Sequence, residues 1–277
     1  MTNASPSMFR NTGDQISEAQ INPLRYSLML WVKRILLLAA LLSLWEYGAR
    51  AKWFNPHFSS FPSEIFRALA DMARSGDLVQ HVPITLTEAV VGFICGTIAG
   101  GTVGFIFGWF EKVAELLDPF IIAIYSLPKV ALAPLFILWF GIGIQAKIIL
   151  TATIVFFLVF FNTYAGVRDA SRELMDIVRL MGAKTPEVIR RVALPSALTA
   201  IFVGLRVSVP YALIGAVVGE MMASNRGVGF LLTRATGQFD TAGAFAALFI
   251  LVVISATFNA IIVALERYLL RWKKVQR

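Results

Sequence analysis

In 277 residues the chain holds one cysteine and two histidines. Cys95 lies inside an apolar run, which leaves no disulfide framework and no cysteine-ligated metal site. His57 and His81 are too few and too isolated to suggest a histidine metal centre. Charge is scarce as well: Asp, Glu, Lys and Arg make up 15% of the residues, where soluble globular domains carry about 25%. That shortfall excludes a disordered chain and argues against a soluble enzyme. The sequence lacks a Walker-type phosphate loop, so nucleotide is not bound through one. It suggests no Ser/His/Asp set, and no strand-like alternation supports a closed barrel.

What is present is apolar and basic. Hydrophobic residues reach 57%, mean hydropathy is +0.72 and the formal charge is +8. A nucleic-acid footprint needs Lys and Arg clustered on one solvated face, whereas here they sit between long apolar runs. The pattern instead predicts an all-α protein in a lipid bilayer, since a spanning helix needs about 20 apolar residues. Six runs qualify: Leu28 to Tyr47, Ile84 to Trp109, Phe120 to Gly143, Ile148 to Val167, Ser196 to Gly219 and Thr241 to Leu265. The first resembles a cleaved leader only superficially, because about 34 residues is too long for a basic leader start. Lys52 and Trp53 beyond it suit an anchored span.

Six spans put both termini on one side. That side carries sixteen Lys and Arg residues against eight on the other, with Arg206 inside a span, so it is predicted to be cytoplasmic. The expected organisation is a cytoplasmic tail over 1–27, a first span over 28–53 and an extracytoplasmic connection over 54–79. A five-helix domain over 80–268 and a basic tail over 269–277 complete it.

In the second run glycine recurs every fourth residue, at Gly92, Gly96, Gly100, Gly104 and Gly108. Such a stripe lets another backbone approach closely where lipid removes apolar attraction between helices. Its partner is either a helix of the same subunit or a second copy.

Arg168 to Pro195 is the one long polar insertion between clean spans. It reads as two short helices. Asp169 or Ser171 caps the first, whose apolar face is Leu174, Ile177, Val178 and Met181, and Gly182 stops it. Thr185-Pro186-Glu187 starts the second, with the Thr185 hydroxyl as cap, and Pro195 ends it before the next span.

The spacing from Asp176 through Gly182 to Leu194-Pro195 resembles the Glu-Ala-Ala loop of importer-type ABC permeases. Gly182, Leu194 and Pro195 match, Asp176-Ile177-Val178 stands for the triplet, and Val192 replaces the usual isoleucine. LPKVALAPLFILWFGIG (127–143), FPSEIFRAL (61–69), VPITLTEAVVGF (82–93), GLR (204–206), VVGEM (217–221) and RGVGFLL (226–232) are similar to the nitrate, sulfonate and taurine branch of that family. The resemblance implies a type I ABC importer permease fold in the bacterial inner membrane. It also implies a pore of two permease copies, two ABC ATPase subunits beneath and an extracytoplasmic binding protein above. Asp176, Gly182, Ala183, Lys184, Thr185, Pro186, Leu194 and Pro195 would couple to the ATPase. ATP and Mg would bind only that partner, leaving this chain with no cofactor, no metal and no catalytic residue. The solute would be a sulfonate, taurine, nitrate or similar anion, or a vitamin precursor.

Three polar residues in spans are candidates for the pathway or gate. Arg206, roughly 16 Å along a helix from Pro195, faces either the pathway or carbonyls of a neighbouring helix. Glu220 either meets the binding protein, seals the gate, or serves as a cap. Lys129, between Pro128 and Pro134 in a run expected to be broken, lines a cavity or snorkels at the outer rim. Asn162 and Tyr164 are expected to make internal hydrogen bonds. Two other functions stand against the importer. A proton-coupled secondary transporter would need internal repeats and paired membrane acids, which look scattered here, and a membrane-embedded enzyme would need a catalytic set.

Overall fold

The computed structural model describes residues 23–53, 60–170 and 172–271, in two compact units divided after Trp53. Apolar segments of this length satisfy their backbone groups internally as helices, and the described residues contain no strand. The first unit is α1 (Pro23–Arg50), which starts five residues before the expected run. Its last turn is closed by an Arg50–Glu46 ion pair of 2.6 Å.

The second unit opens with α2 (Pro62–Ser75), a helix within the stretch read as a connection. Pro62 suits its first turn, where the missing N–H is unneeded, and Gly76 ends it at φ 84°. Helix α3 (Asp77–Trp109) follows at once and runs 33 residues. Next come α4 (Glu111–Ser126), a 3₁₀ turn (Lys129–Leu132) and α5 (Ala133–Phe140). The chain bends by 78° between Ser126 and Lys129. Pro128 drives the break: it holds Leu127 extended at φ −65°, ψ 133°, and offers no N–H to the preceding turn.

Helix α6 (Ile144–Arg168) is followed by α7 (Arg172–Leu180), α8 (Thr185–Val188), a π segment (Ile189–Ala193) and α9 (Leu194–Met222). Helices α10 (Val228–Gly237) and α11 (Thr241–Leu269) complete the fold. Among the described residues five helices are long and apolar enough to cross a membrane, and the bent pair over 111–140 makes a sixth if taken as one span.

Helix α6 lies between α3 and α9, and small residues set that packing. A Cβ on Gly96 would stand 2.6 Å from the Ala152 carbonyl oxygen, and one on Gly104 2.6 Å from that of Phe160. Gly92 abuts Thr151, Gly100 the Phe156 carbonyl and Gly108 Val167. The stripe is therefore filled by α6 of the same chain, which removes the second-copy reading. Toward α9, Gly215 meets Thr151 and Gly204 meets Asn162. Asn162 donates to the Leu158 carbonyl at 2.8 Å, as expected of a polar residue in a span. Phe93, Val155, Val159, Phe202, Val209 and Phe258 form the main apolar cluster.

Candidate functional site

The loop after α6 is built by local sequence. Helix α7 ends in a Schellman turn: Gly182 sits at φ 89°, its N–H meets the Arg179 carbonyl at 2.9 Å, and Ala183 N–H reaches the Val178 carbonyl at 3.2 Å. Asp176 pairs with Arg179 at 3.0 Å on the polar face. On the apolar side Leu174 and Ile177 are half-exposed, while Leu180 and Met181 are 88% and 82% exposed. Asp169 stands at the end of α6. Ser171, the other expected cap of α7, lies outside the described residues.

Two details of the second helix differ from expectation. Lys184, extended at ψ 160°, occupies the cap position, so Thr185 is the first helical residue and its hydroxyl is not the cap. The Glu187 carboxylate instead accepts the Lys184 N–H at 2.9 Å, half of a capping box. Pro195 does not end the helix. The π segment re-registers the backbone, with Leu194 N–H bonding five residues back to Ile189, so that Pro195 falls in the first turn of α9. The α8 helix thus runs on into α9 over Thr185–Met222, a rigid link between loop and bundle.

At the same end, Arg168 closes α6. Its guanidinium donates to Glu111 Oε1 and to Tyr164 Oη, both at 2.6 Å, which gives Tyr164 its expected bond. A cleft of about 430 Å³ lies beside this pair, walled by Trp109, Met175, Asp176 and Thr185.

The opposite end of the bundle holds a buried polar network. Glu88, fully buried in α3, pairs with the Lys147 ammonium of α6 at 3.0 Å. Lys147 also donates to Ser224 Oγ at 2.8 Å, and Ser224 donates to the Arg226 carbonyl at 2.6 Å. Glu220, 1% exposed, accepts from Thr85 Oγ1 and from Gly229 N–H, both at 2.6 Å. Thr85 Oγ1 in turn accepts the Val228 N–H at 2.8 Å, and His81 Nδ1 accepts the Gly227 N–H at 2.9 Å. Gly227 is left-handed at φ 104°, and a Cβ there would collide with the Glu220 carboxylate. The side chains of α3 and α9 thus bind the first turn of α10, whose free N–H groups attract a carboxylate. At 1% exposure Glu220 is out of reach of an external protein, so the binding-protein contact is withdrawn and the capping role stands.

Sequence reasoning missed most of this network. Glu88 and Glu220 looked scattered because 132 positions separate them, and His81 had been set aside. The available signal was the value of a charge in a span, which implies a partner without naming it.

Arg206 lies 3.4 Å from Glu266, in the final turn of α11, with its side chain half-exposed. Its partner is a carboxylate in place of the expected carbonyls. Lys129 sits at the bend, half-buried, with its ammonium bonded to the Tyr125 carbonyl and 3.8 Å from the Tyr125 ring centre. It folds back on the protein and does not reach outward along the helix as a snorkelling lysine would.

The fold also occurs in a solved structure. Of the chain, 69% superposes on 95% of a chain from inward-facing conformations of the MetNI methionine ABC transporter, with TM-score 0.61 at 19% identity. The match is one of fold. Residues 92–275 fit the model of the binding-protein-dependent transport system inner membrane component family. The chain belongs to that family. Among members, the formylaminopyrimidine transport permease ThiX of Halalkalibacterium halodurans is 35% identical over 85% of this chain and 94% of its own. The riboflavin transport system permease RibX of Chloroflexus aurantiacus is 34% identical over 85% and 88%. The taurine transport system permease TauC of Escherichia coli is 29% identical over 85% and 87%. As an inner membrane transport component of this kind, the chain is a multi-pass ABC importer permease of the sulfonate and taurine branch. Membership also sets aside the secondary-transporter reading, although Glu88 and Glu220 do meet in one network.

Proposed function

We propose that the chain forms its pore with a second copy, docks two ABC ATPase subunits through residues 176–195, and receives a small solute from an extracytoplasmic binding protein. The loop end of the bundle then faces the cytoplasm, in accord with the sixteen-to-eight excess of Lys and Arg. The observation that carries the reading is the rigid α7–turn–α8 element with Leu180 and Met181 almost fully exposed. Apolar side chains presented on a capped helix fit an apolar cleft on a partner. Because α8 continues into α9, a push on the turn reaches the span without passing through a flexible joint. ATP binding can drive the pore only by preferring one of its states, and a rigid link transmits that preference. The ATP and Mg belong to the partner subunit. The solutes named for the relatives, taurine, riboflavin and formylaminopyrimidine, delimit the class: a small organic molecule, anionic or a vitamin precursor.

The test is uptake in cells whose cognate ATPase subunit carries an inactivating substitution. Uptake is expected to vanish and to be indifferent to an uncoupler while the ATPase is intact. Uptake that persists without the ATPase and collapses with the uncoupler would sink the proposal.

A further inference from the structure

At the α4–α5 break two observations meet. The backbone leaves helical geometry between Ser126 and Lys129 with a 78° bend. Non-helical backbone at membrane depth is tolerated only where it is buried in protein or lines water. Leu127 and Pro128 are both exposed on this chain, which leaves water or the face of a second copy as their surroundings. The second observation is charge. The other cations of the α6 and α9 spans are paired: Lys147 with Glu88, Arg168 with Glu111 and Arg206 with Glu266. Among the described residues Lys129 has no carboxylate within 4.0 Å; its ammonium has the Tyr125 carbonyl and the faces of Tyr125 and Phe157, at 3.8 and 5.0 Å. An ammonium has three N–H donors, and one carbonyl with two ring faces leaves its charge uncompensated. A cation so placed in a membrane span marks a solute path or demands a counter-charge.

We propose that Lys129, backed by Tyr125 and Phe157, is a station on the translocation path that takes the anionic group of a monoanionic solute, with the rings receiving its apolar or aromatic body. The proposal rests on the importer reading and narrows its solute class. One ammonium with a single positive charge suits a sulfonate or carboxylate better than a polyanion. The same rings hold flat aromatic solutes by stacking.

The test uses the whole importer in vesicles, with Cys95 replaced by Ser and a thiol placed at exposed Ser126 (S126C), three residues from Lys129. Two thiol reagents of one size are compared, a sulfonate-bearing and a trimethylammonium-bearing methanethiosulfonate. At about 6 Å through wet surroundings, one charge favours the anionic over the cationic reagent about tenfold. That ratio is expected to fall to about one in K129Q, to survive in K129R, and to shrink in 1 M salt, where the screening length is about 3 Å. The salt arm needs no substitution at 129, so it stands even if K129Q fails to insert. No reaction with either reagent would overturn the proposal by showing a dry face. A ratio unmoved by K129Q, or by salt, would overturn it by removing Lys129 as the source. ATP-driven uptake is read in the vesicles that keep Lys129, before the thiol reagents are added, and its absence there would strike the importer reading while leaving the reagent ratio to be judged by itself.

Discussion

Two neighbouring glycines in α3 allow a sharp test of the packing. Gly96 and Gly101 share a helix, a lipid setting and a propensity gain on becoming alanine, about 1 kcal/mol in a helix interior. Their surroundings differ. A Cβ on Gly101 meets only Val159 Cγ1 at 3.9 Å, an ordinary contact. On Gly96 it stands 2.6 Å from the Ala152 carbonyl oxygen and 2.8 Å from Val155 Cβ. Reaching an ordinary separation there requires α3 and α6 to part by about 0.8 Å, and a gap of that size forfeits a quarter to a half of each dispersion contact along the seam. Overpacking of this kind costs about 1–3 kcal/mol, which outweighs the propensity gain. G96A is therefore expected to be less stable than the parent by about 1–2 kcal/mol, and G101A to equal or exceed it. Equilibrium unfolding in mixed detergent, followed by tryptophan fluorescence, measures both. Adding V155A to G96A should restore only part of the loss, since the Ala152 carbonyl belongs to the backbone and cannot be trimmed. The reasoning fails if G96A is as stable as G101A, because the stripe would then not set the α3–α6 distance.

Two further outcomes follow from the charged pairs. K147M removes the one ammonium facing buried Glu88, and stranding a buried carboxylate costs about 3–5 kcal/mol; a sharp fall in folded yield is expected, with E88Q/K147M recovering part of it. Unfolding of the purified variants checks this, and equal losses in the single and double variants would count against the pair. Arg206 and Glu266 are at a half-exposed site, where such a pair contributes about 1 kcal/mol or less. R206Q should accordingly leave the unfolding midpoint nearly unchanged, and a large drop would show a role beyond this contact.

Local features were legible because they depend on near neighbours in sequence. The Gly182 turn follows from one residue free to adopt positive φ after an amphipathic run, and the break at Pro128 from a missing N–H. The misreadings at Thr185 and Pro195 are local too, but there two signals compete. A proline suits the first turn of a helix as well as the place where one stops, and the π segment that decides between them has no clear sequence mark.

The amino-acid sequence by itself determined the membrane class, the spans, the loop that projects from them and the resemblance that names the family. Apolar run length and backbone self-satisfaction in lipid leave little else for such a chain to do. Only the tertiary structure decided which helix fills the glycine stripe, that Lys147 answers Glu88 and that Glu220 caps α10. It also paired Arg206 with Glu266 and, among the described residues, left Lys129 without a carboxylate. Helical periodicity tells which residues share a face but not what that face meets. Glu88 and Lys147 lie 59 residues apart and His81 and Gly227 lie 146 apart, and the chain brings them together only when the helices pack.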